Sequence, residues 1–261
     1  MAQPEIPYVL KRQEEGVVTL TLNRGEKLNP LSEEMLAALQ AELNAIAIDA
    51  NARVVILAAG GQAFCAGHDL KQMRASPSAT YYKRLFDQCS KLMLSIQQMP
   101  QPVIARVQGI ATAAGCQLVA MCDLAVASEE AKFAVSGVNY GLFCSTPSVG
   151  LTRNVPRKQA MEMLLTGEFI DAQTACERGL VNRVVPSERL DEEISSLVDS
   201  ILAKPAVAIA MGKQLFYRQM EMGIAAAYQL AGETMACNMM DEAALEGVQA
   251  FIEKRAPAWK R

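Results

Sequence analysis

The chain has 261 residues, of which 51% are hydrophobic and 20% are charged, enough for one large core or a core with a small appendage. Its net charge of −3, without any Lys/Arg run, argues against nucleic acid as a partner. One histidine and seven cysteines without a CxxC pair argue against a metal or redox centre and favour reduced thiols.

Strands and helices alternate in the first part of the chain. Alternation of apolar residues with threonine predicts a strand at Val17–Leu22, and apolar runs predict further strands at residues 53–58, 103–107, 124–127, 132–135 and 181–185. Ser32 is a candidate N-cap for a helix that extends to about residue 49. Residues 80–99 show the same helical spacing.

Strand signals end at about residue 190, and three helical stretches follow at residues 192–202, 207–222 and 224–253. We therefore divide the chain into a core of residues 1–190 and a helical region of residues 191–261. Alanine and methionine are frequent on the helical region. It either caps the core of a monomer or packs against another subunit.

Two strand-to-helix turns carry the strongest chemical signal. Gly109 ends the apolar run 103–107, and residues 113–122 are apolar at helical spacing, so free N–H groups and a positive dipole end gather near Ala114. Upstream, a predicted strand leads into residues 66–70, Ala-Gly-His-Asp-Leu, which form a second such turn. Two N–H groups from two turns can hold one carbonyl oxygen from two sides.

Together the turns resemble the crotonase family, also called the enoyl-CoA hydratase/isomerase family, in which an Ala-Gly-x-Asp-[Ile/Leu] loop precedes a Gly-x-Ala-x-Gly-Gly-Gly-x-Glu turn. The resemblance covers nearly the whole chain, including residues 22–24, 28–29, 165–167, 179–181 and 251–255. It implies an α/β fold, a spiral of repeated ββα units with a C-terminal helical region for trimerisation. It also implies an acyl-CoA partner, with coenzyme A as part of the substrate and no separate cofactor, and a homotrimer or dimer of trimers.

The resemblance assigns the thioester oxygen to the backbone N–H groups of His68 and Ala114. Family hydratases carry two glutamates at positions that correspond here to Gln117 and Gly137. An amide orients water but does not transfer a proton at neutral pH, and glycine has no side chain, so we expect hydration to be severely impaired. Ala113 and Ala114 replace two family glycines, and we expect their methyl groups to stiffen the turn.

Coenzyme A recognition follows from the same resemblance. It assigns the adenine to the backbone around Ala66, the phosphates to Lys27 or Arg24, and further contacts to Phe251 and Lys254 of a neighbouring subunit. For Lys254, a solvated helix end that complements the helix dipole is the alternative.

Three other side chains have non-catalytic interpretations. His68 is a candidate general base, but a side chain that lines the pocket rim or meets solvent is the preferred interpretation. Asp69 is an N-cap candidate for the helix that follows. Cys144 and Ser145 could act as nucleophiles only with an activating base, so we favour structural roles for them.

Four hypotheses for function remain. The chain is an enzyme that uses the oxyanion hole for decarboxylation, thioester cleavage or other enolate chemistry; a weak hydratase in which Gln117 positions water; or an acyl-CoA-binding protein without turnover. The fourth, an unrelated α/β protein, conflicts with the order and spacing of many matching segments.

A cytoplasmic location is expected by elimination. Residues 1–5 show no signal pattern, and residues 259–261 are not a peroxisomal tripeptide. No apolar run approaches the roughly 18 residues of a membrane span, so no membrane partner is expected.

Overall fold

The computed structural model describes residues 6–75 and 77–258, and these residues form two sheets. The larger sheet has, in spatial order, β1 (Val9–Glu14), β2 (Val17–Leu22), β3 (Val54–Ala59), β5 (Val103–Val107), β7 (Leu124–Ser128) and β10 (Arg183–Val185). The smaller sheet has β4 (Ala63–Cys65), β6 (Ile110–Thr112), β8 (Lys132–Ala134) and β9 (Ile170–Asp171). Neighbouring strands are parallel except in the pairs β1–β2 and β8–β9.

From β3 to β8, consecutive strands alternate between the two sheets. β3 leads into β4 and then into the helices α2 (Leu70–Ala75) and α3 (Ala79–Gln98). β5 leads into β6 and α4 (Ala114–Met121), and β7 leads into β8, α5 (Ser145–Leu151) and α6 (Arg157–Thr166). This repetition confirms the α/β spiral of ββα units.

The remaining helices frame the repeats. α1 (Glu33–Ala47) follows β2, and its N-cap Ser32 accepts a hydrogen bond from the Met35 N–H at 3.2 Å. After α7 (Ala172–Glu177) and β10, the chain continues as α8 (Leu190–Leu202), α9 (Ala206–Met220), α10 (Ile224–Met239) and α11 (Glu242–Ile252), which confirms the C-terminal helical region.

One predicted helix is wrong. Residues 224–253 do not form a single helix, because α10 ends at Met239 and α11 starts afresh after Asp241. The Asp241 carboxylate accepts from the Ala243 N–H at 2.9 Å and so caps the new helix. An N-cap residue satisfies donors that a continuous helix would have used internally, so the break is stabilised locally.

The core has two parts, one on each face of the larger sheet. The main cluster includes the fully buried side chains Leu20, Leu36, Phe64, Leu92 and Phe133. A smaller cluster lies under α8, where Leu190, Ile194 and Val198 pack on sheet residues Val54, Ile104 and Val126. α8 therefore covers the second face of the sheet.

α9 is anchored to the core through a buried lysine. Lys213 Nζ donates to the carbonyls of Ile96 and Gln101, each at 2.7 Å, and to Asp123 Oδ2 at 2.6 Å. Asp123 also accepts from the Tyr217 hydroxyl at 2.9 Å and from the Val103 N–H at 2.7 Å. Both charged groups are thus fully hydrogen-bonded, as a buried ion pair requires.

All seven cysteines are free thiols, and five of them are buried. Within the described residues, no single helix is both long and apolar enough to cross a membrane; the pair Ser187–Leu202 and Ala206–Met220 passes that test jointly but is bent by 102°. Residues 1–5 and 259–261, used to predict the location, lie outside the described residues.

Candidate active site

Three neighbouring strands of the smaller sheet place the site. β4 pairs with β6 and β6 with β8, all in parallel. The carboxyl ends of parallel strands share one edge of a sheet, so the segments that follow them, residues 66–70, 113–114 and 136–147, meet there. They enclose a cavity of about 160 Å³ together with residues from α2 and α3.

The two predicted turns lie against each other. Gly67 has φ +91°, and a Cβ on it would lie 3.0 Å from Ala113 Cβ and 3.3 Å from Ala114 N. Glycine therefore allows the first turn to pass directly beside the second. The structure thus brings His68 and Ala114 together, as both line the cavity.

The backbone N–H groups of His68 and Ala114 form no hydrogen bond to any described residue. Ala114 is the first residue of α4, where an N–H has no partner within the helix. All eight residues of α4 are buried, so its positive dipole end faces the cavity out of bulk water. Both residues also contribute to the wall of the cavity.

Ala113 holds a backbone conformation that suits glycine. Its dihedral angles are φ 51° and ψ −120°, and its N–H donates to the Ala134 carbonyl at 2.9 Å. A side chain in this region carries strain of about 1–3 kcal/mol. Packing of Ala113 against the main core cluster holds the turn in this strained conformation.

We expect Ala113→Gly to stabilise the fold by about 1 kcal/mol, because relief of strain exceeds the entropy that glycine adds to the unfolded chain. Urea denaturation measures the change. Ala37→Gly, at an exposed position of ordinary helical backbone in α1, is the control and should destabilise by about 1 kcal/mol. Equal losses in both variants would contradict strain at Ala113.

The His68 ring packs between two neighbours, Leu31 and Phe86. Nδ1 lies 3.3 Å from the Leu31 carbonyl oxygen, and the ring meets Phe86 edge-on with centroids 5.5 Å apart. Nε2 is buried and has no partner among the described residues. Burial lowers the pKa of His68 below its usual value, and the hydrogen bond to Leu31 opposes that shift.

Gly137 and Gln117, which stand where family hydratases have glutamates, differ in their position relative to the cavity. Gly137 lines the cavity, but a Cβ there would lie 2.4 Å from the Leu142 carbonyl oxygen and 2.8 Å from Cys144 Sγ. Gln117 is only 4% exposed and does not contribute to the cavity wall, and its Oε1 has no partner among the described residues.

Cys144 and Ser145 line the cavity. Among the described residues, neither side chain is hydrogen-bonded to a basic side chain. Cys144 Sγ accepts the Gly137 N–H at 3.3 Å, and burial raises the pKa of its thiol, so the neutral thiol is favoured. The Ser145 hydroxyl donates to the Phe143 carbonyl at 3.4 Å. Asp69 Oδ1 accepts from the N–H groups of Lys71 and Gln72 and caps α2.

The residues assigned to coenzyme A are dispersed in one chain. Ala66 lines the cavity, whereas the Arg24 guanidinium lies 3.7 Å from the Tyr8 ring centroid and donates to three nearby backbone carbonyls. Lys27 is exposed at the end of a short 3₁₀ helix. Phe251 is 85% exposed at the end of α11, and Lys254 follows it.

Sequence reasoning did not identify Met73 and Phe86 as part of the apolar cavity wall, which also includes Leu70, Tyr140, Leu142 and Phe143. Met73 and Phe86 lie on helices whose facing residues depend on the tertiary fold. The described residues contain no group of three or more histidine, cysteine or acidic side chains placed to hold a metal ion.

The α/β spiral of ββα units, with two adjacent turns whose N–H groups have no described partner, is the architecture that the resemblance to the crotonase family predicts. The family pattern for Enoyl-CoA hydratase/isomerase matches residues 12–261, and the chain belongs to that family.

A solved structure of enoyl-CoA hydratase from Mycobacterium smegmatis has 63% sequence identity and a TM-score of 0.97, covering 98% of this chain and 100% of the other. The human enoyl Coenzyme A hydratase domain-containing protein 3 structure has 44% identity and a TM-score of 0.94, with coverage of 97% and 100%. The Xenopus laevis protein named Enoyl-CoA hydratase domain-containing protein 3, mitochondrial, is 46% identical, over 97% of this chain and 86% of its own length.

The comparisons contradict the cytoplasmic location expected from the sequence. Relatives from Xenopus laevis, Rattus norvegicus and Homo sapiens, at 44–46% identity, are named as mitochondrial proteins. The expectation failed because it treated the lack of a recognised signal pattern as information about a compartment.

Proposed function

We propose that the chain binds an acyl-CoA thioester and polarises its carbonyl through the N–H groups of His68 and Ala114. The observation that carries this proposal is the pair of unpartnered N–H groups at one apolar cavity. Relatives named Enoyl-CoA hydratase and 2,3-dehydroadipyl-CoA hydratase, at 34% and 32% identity, support a CoA thioester as ligand. The cavity of about 160 Å³ has room for about five water-sized groups, which favours a short acyl chain.

The chemistry that this site supports is stabilisation of negative charge on the thioester oxygen. Each correctly aimed donor of this kind contributes roughly 10²- to 10³-fold to a rate. With Gln117 and Gly137 in place of carboxylates, the reaction favoured is one through an enolate that needs no glutamate pair, such as decarboxylation or thioester cleavage. Weak hydration with water held by Gln117 and binding without turnover are the alternatives that the experiment must separate.

Recognition of coenzyme A completes the proposal. The backbone at Ala66 would hold the adenine, and Lys27 is the better phosphate ligand because the Arg24 guanidinium already binds backbone carbonyls. Phe251 and Lys254 would act from a neighbouring subunit, which agrees with the 85% exposure of Phe251.

We further propose a homotrimer or a dimer of trimers. Large apolar side chains that are more than half exposed recur on α9–α11 and between α10 and α11, among them Phe216, Ile224, Tyr228, Met235, Met240 and Phe251. Such density of exposed apolar surface marks an interaction surface. We expect native mass spectrometry to give about three or six times the chain mass of 28.3 kDa. A monomer at micromolar concentration would contradict the assembly.

The reaction class is tested with a panel of short thioesters. The purified protein is incubated at high concentration with crotonyl-, methylmalonyl- and butyryl-CoA, and products are identified by mass spectrometry. Loss of CO₂ or release of free CoA would support enolate chemistry, and gain of water would identify a hydratase. No change, with binding measured in the same samples, would leave a thioester-binding protein, and absence of binding would contradict the proposal.

The oxyanion hole is tested by removal of one N–H. Ala114→Pro deletes the donor at the first helical position, where proline is tolerated, and Ala113→Gly beside it relieves the restriction that proline places on the preceding residue. We expect the double variant to lose roughly 10²- to 10³-fold in turnover, or to bind thioester more weakly if there is none. Ala113→Gly alone is the matched control. Equal behaviour of the two folded variants would contradict the assignment.

A further inference from the structure

The side chain of Asn29 is polar but fully buried, and its amide is hydrogen-bonded at both ends. Oδ1 accepts from the Arg24 N–H at 2.8 Å, and Nδ2 donates to the carbonyls of Gly60 at 2.8 Å and Ala63 at 3.0 Å. A buried amide with all these partners is costly to remove, because each partner would lose its hydrogen bond. Asn29 thus ties the segment that follows β2 to the start of β4.

The same segment holds the first turn of the site. The Leu28 carbonyl accepts from the Ala66 N–H at 3.0 Å, and the Leu31 N–H donates to the Gly67 carbonyl at 2.8 Å. Leu31 also forms an isolated parallel bridge with His68. This turn lies between β4 and α2, outside the regular hydrogen bonding of either. Its position therefore depends on the segment that Asn29 anchors.

The contact with Leu31 sets the direction of the His68 N–H. The Gly67 carbonyl and the His68 N–H belong to one peptide unit, which is planar and trans, so the two groups point in opposite directions. Because the carbonyl is bound to the Leu31 N–H, the His68 N–H points away from Leu31. Any rotation of this peptide unit would turn both groups together. The Leu31 contact thus fixes the donor to which the proposed function assigns the thioester oxygen.

We propose that Asn29 is a positioning residue for the oxyanion hole, since it keeps the Leu31 N–H where it orients the peptide unit between Gly67 and His68. This inference rests on the proposed function of the His68 N–H. Asn29 does not belong to the cavity wall, so it acts through the backbone and not by contact with the ligand. A displacement of about 1 Å caused by a remote residue can cost about 10²-fold in rate.

The experiment measures how strongly the site polarises a bound carbonyl. Asn29→Gly removes the amide, and glycine adopts the φ of +50° at this position without strain. The readout is the C=O stretch of butyryl-CoA labelled with ¹³C at the thioester carbon, recorded by isotope-edited infrared spectroscopy at saturating ligand. Hydrogen bonds to the oxygen weaken the C=O bond and lower this frequency relative to free ligand.

We expect the frequency shift in Asn29→Gly to fall to about half of its wild-type value, because one of the two donors is no longer aimed at the oxygen. Turnover of any thioester that the protein transforms should fall about 10²-fold. Dissociation constants measured in the same samples confirm that the ligand is bound in both proteins.

Gln101→Ala is the matched control. Gln101 is also a buried amide, and its Nε2 donates to the carbonyls of Ile46 at 2.9 Å and Asp49 at 3.5 Å, but it does not belong to the cavity wall. Both variants should unfold at a lower urea concentration than the wild type. Only Asn29→Gly should change the carbonyl frequency, whereas a merely structural role for Asn29 would leave the frequency unchanged in both.

The outcomes distinguish this inference from the proposed function. If bound butyryl-CoA shows no shift in the wild type, the oxyanion hole fails and the inference fails with it. If the wild-type shift persists in full in folded Asn29→Gly, the inference is overturned and the oxyanion hole stands.

A second variant keeps the test decisive if Asn29→Gly does not fold. Leu31→leucic acid, the hydroxy acid with the leucine side chain, removes the Leu31 N–H that holds the Gly67 carbonyl and keeps the side chain. We expect the shift to fall to about half here as well. A full shift in this variant would overturn the inference, because the peptide unit would then be oriented without the contact.

Discussion

Lys213→Met will lower the free energy of unfolding by about 3–5 kcal/mol, the largest loss in stability expected for a single change in this chain. The Lys213 and Asp123 side chains are only 6% and 14% exposed. Removal of the ammonium leaves the Asp123 carboxylate buried with two donors, the Tyr217 hydroxyl and the Val103 N–H, and no compensating charge. It also leaves the carbonyls of Ile96 and Gln101 without the lysine donor.

The measurement is urea denaturation of each variant at a fixed protein concentration, since assembly would contribute to apparent stability. Lys83→Met is the matched control because Lys83 pairs with Asp87 on the surface of α3, with exposures of 76% and 64%. Such a pair contributes about 0.2–0.5 kcal/mol. A loss below about 1 kcal/mol for Lys213→Met would show that the buried pair barely stabilises the fold.

The larger sheet could be predicted from sequence because its inner strands are buried on both faces and read as apolar runs. β2, β3, β5 and β7 were all found within one residue of their observed ends. The smaller sheet was mostly missed, since β4, β6 and β9 have only two or three residues, too few to show a period. Their pairing comes from the spiral of the chain, which is a tertiary property.

The helical errors have a different origin. α5, α6 and α7 have only 6 to 10 residues each and present weak apolar patterns, so local spacing did not reveal them. The break between α10 and α11 did have a signal, because Asp241 followed by Glu242 is a typical helix start. The alanine-rich sequence on either side concealed it.

At the site, the sequence predicted where the turns and the helix cap lie, but not which side chains line the cavity. The turn at Ala114 and the cap at Asp69 follow from local rules and are present. Which side chains enter the cavity depends on how three strands align. Thus His68 belongs to the cavity wall, whereas Gln117, on α4, does not.

Gly137→Glu combined with Gln117→Glu will not create a hydratase. Position 137 has no space for a side chain, because a Cβ would lie 2.4 Å from the Leu142 carbonyl oxygen, well inside contact distance. The backbone there is fixed, since Leu142 N–H donates to the Gly137 carbonyl at 3.0 Å and Gly137 N–H donates to Cys144 Sγ. Even Gly137→Ala should destabilise by about 1–3 kcal/mol through overpacking.

The control for this steric claim is Gly232→Ala in α10, where a Cβ meets nothing within 4 Å. That change should stabilise the helix by about 1 kcal/mol. Thermal or urea denaturation of Gly137→Ala and Gly232→Ala compares their stabilities. Hydration of crotonyl-CoA is assayed separately in the variant that combines Gly137→Glu with Gln117→Glu. A folded double variant that hydrates crotonyl-CoA would require residues 137–144 to move aside readily. If the double variant shows no such activity, glycine at position 137 changes the shape of the site as well as removing a carboxylate that family hydratases use for proton transfer. Reactions that need no carboxylate at this position are then favoured.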